Sequence, residues 1–147
     1  MESLETVLGQ TITRESPFGL VAIDGEQRIR YFNPAAEKVF GYSSEEVIGQ
    51  PLAILLPPEF REAHTDDVRT FREGAEATRQ MGERGEVQGL RYNGQRFAAE
   101  ATITRAQWGE ATYLIALIND RTHARQMEAE RQRLAQILEA TPDFVGM

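Results

Sequence analysis

The chain has 147 residues, 41% of them hydrophobic, which is enough for one domain with a real core. With 16 basic and 23 acidic residues the net charge is −7, which disfavours nonspecific binding to nucleic acid or to an anionic membrane. Cysteine is absent, which excludes disulfides, thiolate metal sites and cysteine nucleophiles and suits a reducing compartment.

Residues 2–11 predict a short amphipathic helix with Leu4, Val7 and Leu8 on one side. The apolar run FGLVAID (18–24) predicts a buried strand, turned by Gly25-Glu26 into its alternating partner RIRYF (28–32). Asn33-Pro34 reads as an N-cap followed by proline at the first helical position, and Gly41 as the left-handed residue that ends that helix. Ser43 and Glu46 have the spacing of a capping box for a brief second helix closing at Gly49. QPLAILLPP is an apolar linker broken by prolines, and a helix from Pro58 to Glu73 follows it. Gly74 to Gly85 reads as loop.

The period then changes. EVQGLRY leads into Asn93-Gly94, a strong hairpin signal. QRFAAEATITRA sets Phe97, Ala99, Ala101 and Ile103 against Ala98, Glu100, Thr102 and Thr104. Trp108-Gly109-Glu110 turns the chain into TYLIALI (112–118), read as a further buried strand. Two strands, several short helices and three strands predict an α+β domain, an antiparallel sheet with helices on one face.

Asp120-Arg121-Thr122 ends the sheet, and residues 123–140 form a polar helical stretch. A heptad reading places Ala124, Met127, Arg131, Leu134 and Leu138 on one seam. Two uses stand open for this helix: packing on its own domain, or pairing in a homodimer together with the N-terminal helix. A helix this polar gains little alone, which favours pairing. ATPDFVGM (140–147) echoes ESPFGLV (15–21) and reads as the start of a second copy of the domain.

His64 lies on the helical face of Phe60, Val68 and Phe71, at spacings of 4, 8 and 11 from Phe60. It is therefore either a core histidine or a ligand for something held in the core. Enzyme signals are missing: there is no Gly-rich phosphate loop, no His-x-x-x-His and no nucleophile elbow. His123 reads as a solvated residue of the exit helix. No apolar run approaches the ~20 residues that span a bilayer. The acidic start MESLETVLGQ has no signal-peptide pattern, so a cytoplasmic protein without direct membrane contact is expected.

GLVAIDGEQRIRYFNPAAEKVFGYSSEEVIGQPL, then YNGQRFAAEATIT, then YLIALINDRT before a helix, together resemble a PAS domain over about residues 12–126. The resemblance implies a five-stranded antiparallel sensor module flanked by amphipathic helices. It implies a cap helix at 1–11, a signalling helix at 127–139 and a second PAS domain starting at 140–147. It implies a small ligand between sheet and helices, and a fused effector such as a histidine kinase or a cyclic-di-GMP enzyme. Asp120, Arg121 and Thr122 resemble the family's Asp-x-Thr exit and would relay the signal. Arg61-Glu62-Ala63-His64 resembles the Arg-x-x-His of the heme-binding oxygen sensors, where the histidine is the proximal iron ligand. A heme b on His64 would lie among Phe60, Val68 and Phe71, facing the small side chains Ala99, Ala101 and Ala116. That subset places an arginine or methionine opposite, for which Met81 and Arg84 are the candidates. Counting back from Asn93-Gly94, however, puts Glu83 or Gly85 at the matching places. Without cysteine, flavin adducts and thioester chromophores are excluded. Noncovalent FAD and a ligand-free dimerisation module are the alternatives.

Overall fold

The computed structural model describes residues 4–74, 78–80 and 86–140. Helix α1 (Leu4–Glu15) runs four residues past its expected end. Strand β1 (Gly19–Ile23) pairs antiparallel with β2 (Ile29–Phe32) across a tight turn. Asp24 organises that turn: its Oδ1 accepts from the amides of Glu26 (2.9 Å) and Arg28 (3.1 Å), an Asx turn.

Helix α2 (Pro34–Phe40) has the expected N-cap Asn33, proline at its start, and Gly41 at φ 80° after its end. Asn33 does more than cap. Its Oδ1 accepts from Ala36 N (2.9 Å) and Leu20 N (2.8 Å), and its Nδ2 donates to the carbonyls of Thr13 (2.8 Å) and Phe18 (3.0 Å). One buried amide thus ties α1, β1 and α2 together with its donors and acceptor all satisfied.

Helix α3 (Ser44–Val47) starts with a complete capping box, Ser43 with Glu46. Two 3₁₀ turns, Leu52–Leu55 and Pro58–Phe60, lead into α4 (Arg61–Glu73). The expected helix start at Pro58 is therefore a 3₁₀ turn, with the α-helix proper beginning at Arg61.

Residues 74–85 are not all loop. Strand β3 (Thr78–Gln80) lies there, paired with Thr102–Thr104. The hairpin of β4 (Glu86–Leu90) and β5 (Arg96–Trp108) explains it: β4 covers only Arg96–Glu100 of the long β5, which leaves an open ladder beyond. Backbone pairing to that edge makes a strand from a polar, non-alternating sequence, so context overrides pattern. Strand β6 (Ala111–Asp120) returns along β5 and joins β1, before helix α5 (Thr122–Ala140). The strand order is β2-β1-β6-β5, with β3 and β4 sharing the last position, a five-position antiparallel sheet.

The inner sheet face presents Val21, Ile23, Phe97, Ala99, Ala101, Ile103, Leu114 and Ile118 to Ala36, Phe40, Val47, Leu55, Val68 and Phe71 of the helical layer. The two apolar strands expected to be buried are buried on that side only. Leu20, Ala22 and Ile115 are half-buried on the outer face, and Leu117 is exposed. Gly89 is fixed by packing, since a Cβ there would sit 2.5 Å from the ring of Phe97, its partner across the ladder.

Candidate ligand site

Burial deepens along the sheet-facing side of α4. Phe60, just before it, is 42% exposed, His64 is half-buried, and Val68 and Phe71 are in the core. The helix is thus anchored at its C-terminal end, and its N-terminal half stands off the sheet. Its start is held by Arg61 Nε donating to the Leu56 carbonyl (3.0 Å), and its middle by Gln27 Nε2 donating to the Thr65 carbonyl (3.1 Å).

Two spaces lie beneath the raised half. An open groove of about 570 Å³ runs between Phe60, Ala63, His64 and Asp67 on one side and Val87, Gln88 and Phe97 on the other. Deeper lies a void of about 40 Å³ walled by Gly89, Ala99, Ala101, Ala116 and Ile118. His64 borders both spaces, as do Leu56, Val87 and Gln88, so His64 lies where the groove meets the void. Burial pushes its pKa down from the ordinary 6.5, against a smaller upward pull from the Asp67 carboxylate. The neutral imidazole, the form that can bind a metal through a ring nitrogen, is thereby favoured.

Of the residues expected around His64, the structure brings Phe60, Ala99, Ala101 and Ala116 to these two spaces. Val68 and Phe71 are packed in the core below. Met81 and Arg84 lie outside the described residues. The rim carries two guanidinium groups that sequence reading missed, Arg96 paired with Glu59 and Arg125 paired with Glu86. Among the described residues no three His, Asp or Glu side chains gather around a point that could hold a bare metal ion.

The exit motif is a closed hydrogen-bonded unit. Asp120 Oδ1 accepts from the Thr122 amide (2.9 Å) and hydroxyl (2.6 Å), and Oδ2 accepts from Arg91 Nη2 (2.9 Å). Partial burial opposes ionisation of Asp120, but these bonds outweigh it and hold its carboxyl below the ordinary value. Arg91, also missed, bonds the Val39 carbonyl at the end of α2 and stacks 4.0 Å from the Phe97 ring centre. Phe97 borders the groove, so Arg91 stands between the groove wall and the start of α5. Its partner Asp120 is 29 residues away, and no local pattern announces such a pair. Arg121 pairs with Glu100 at 3.2 Å on the sheet.

The family model of the PAS fold matches residues 8–121. The oxygen sensor protein DosP of Escherichia coli is 34% identical over 119 residues, 80% of this chain and 15% of that protein. The sensor protein FixL of Bradyrhizobium diazoefficiens is 31% identical over 125 residues, 85% of this chain and 25% of that protein. The chain thus spans a quarter or less of the length of these relatives. Among solved structures, the PAS domain of a Colwellia psychrerythraea protein superposes with a TM-score of 0.69 at 21% identity, covering 80% of this chain and 98% of that one. A PAS domain from a two-component sensor histidine kinase gives 0.63 at 14% identity, covering 80% and 96%. Element order, sheet topology and the family match agree, and the chain belongs to the PAS family.

Proposed function

We propose that this chain is the sensory module of a multidomain, cytoplasmic signalling protein, in which a ligand held against His64 is sensed and its presence passed to α5. The observation that carries this reading is a half-buried histidine that borders both a ligand-sized groove and an apolar void whose lining includes Ala99, Ala101 and Ala116. Pockets for small molecules run to ~300–1,000 Å³, and the groove is within that range.

Heme b is the ligand whose chemistry these residues fit. A neutral imidazole suits iron, the apolar floor suits a macrocycle, and Arg96 and Arg125 suit the two propionates. The void alone, at about 40 Å³, is far too small for the ring, so binding must open the space between α4 and β4. A bound heme would supply a site where a diatomic gas can bind. The chain's own residues would do the rest: His64 holds, the alanines leave room, and the Phe97–Arg91–Asp120 path reports. That two relatives are named as an oxygen sensor and a sensor supports the reading. The effector, a histidine kinase or a cyclic-di-GMP enzyme, would be fused beyond a module at 12–126 and a linker helix at 127–139.

His64→Ala is expected to abolish heme retention during expression with heme supply, while circular dichroism shows the fold intact. Equal heme content in wild type and variant would overturn the assignment. The small void favours a second reading, a ligand-free PAS module that acts through dimerisation alone.

A further inference from the structure

Arg125 stands where the exit helix leaves the domain. It lies one turn into α5, and every residue from Gln126 to Leu138 is exposed. Its guanidinium reaches back to Glu86 at the start of β4, with Nη2 to Oε2 at 2.7 Å and Nε to Oε1 at 3.3 Å. Both residues border the groove, so this ion pair is at once groove rim and tether of α5. Among the described residues it is the last ion pair that joins α5 to the sheet. Glu128 also attracts Arg125, but it sits on the same helix and fastens nothing to the domain. Elsewhere on the rim Arg96 forks onto Glu59. Each rim guanidinium is thus occupied by one of the chain's own carboxylates, beside an apolar groove wall that includes Leu56 and Phe97.

We propose that the groove takes an amphiphile with an apolar body and a carboxylate edge, and that this carboxylate displaces Glu86 from Arg125, so that filling the groove unfastens α5 from β4. The inference rests on the reading of the groove as the ligand site, and heme with its propionates is one member of the class. The exchange is easy. The Arg125 and Glu86 side chains are 55% and 31% exposed, and ion pairs so wetted contribute little. Burial of the ligand's apolar body supplies the driving force. The first turn of α5 stays in place, because Thr122 remains on Asp120 and Arg121 on Glu100. Release begins after it.

Two readouts test this on the whole chain: affinity, and hydrogen exchange of amides 126–130. Hemin and dodecanoate are the two probes, the second offering an apolar body and a carboxylate without iron. Glu86→Gln removes the competitor, so it tightens binding severalfold, whereas Arg125→Gln removes the receptor and weakens it severalfold. Without probe, both variants exchange faster than wild type over 126–130. With probe, wild type rises to their level. Affinity changes of the same sign in the two variants would overturn the proposal. So would wild-type exchange that neither probe moves. Failure of hemin alone, with dodecanoate effective, would overturn the heme reading and leave the latch standing.

Discussion

His64 is held neutral by its surroundings, and this has a consequence for stability. Its folded pKa lies below the ordinary 6.5, so between the two values the unfolded chain carries a proton that the folded chain does not. Stability therefore rises with pH through that window and falls as pH drops below 6.5. Asp24 and Asp120, whose carboxyls are held below the ordinary 3.8, act in a separate and more acidic window. The denaturation midpoint is expected to fall between about pH 7 and about pH 5, and His64→Ala to lose that fall. An identical pH profile in the variant would contradict this account of the residue. At Gly89 the added Cβ meets a ring rather than a flexible tip. Gly89→Ala should cost about 1–3 kcal/mol, read as a lower urea midpoint at unchanged slope, and an unmoved midpoint would contradict the packing described. His64 was legible in the sequence because its partners lie one or two turns away on the same helix. Arg91, Arg96 and Arg125 were not, because their partners Asp120, Glu59 and Glu86 are 29, 37 and 39 residues distant.

Among the elements, those with local chemistry were read correctly from sequence. The caps at Asn33, Ser43 and Gly41 are where side-chain and φ requirements placed them. Strand β3 was missed because its cause is the unpaired stretch of β5, not its own residues. Strands β1 and β6 were expected to be buried, and they are buried on one face only, because a continuous apolar run does not reveal which side of a sheet is open. Helix α5 shows a matching exposure: Met127, Leu134, Ile137 and Leu138 are 51–55% exposed. It does not lie on its own domain beyond Arg125, and a lone helix of this length is marginal in water. With Ile12 of α1 also exposed, we propose a homodimer paired through both helices. Sedimentation should show a dimer, and Leu134→Lys should shift it to monomer. A wild-type chain that stays monomeric at every concentration would contradict the pairing.

On the scale of the molecule, α4 covers the sheet closely at Val68 and Phe71 and stands off it at Phe60 and His64, where Arg61 and Gln27 hold its start and middle. The core below Val68 and Phe71 is closed, and the space under Phe60 and His64 is not. Helix α1 spans the expected border at 11, and helix α5 spans the one at 126. Of residues 140–147, where a second copy was expected to start, Ala140 ends α5 and 141–147 lie outside the described residues. Fold class was legible because alternation, caps and turns are local, and the family because contiguous runs such as FNPAAEKVFGY resemble its motifs, whereas groove volume and rim charge arise only when distant segments meet. The central claim is that His64 faces a ligand. The most direct measurement is the visible spectrum of the chain produced with heme supply, in ferric, ferrous and carbon-monoxide-exposed forms. The account predicts a stoichiometric Soret band that shifts with the gas. A colourless chain that also refuses added hemin would contradict it and make His64 a core residue of a dimerisation module.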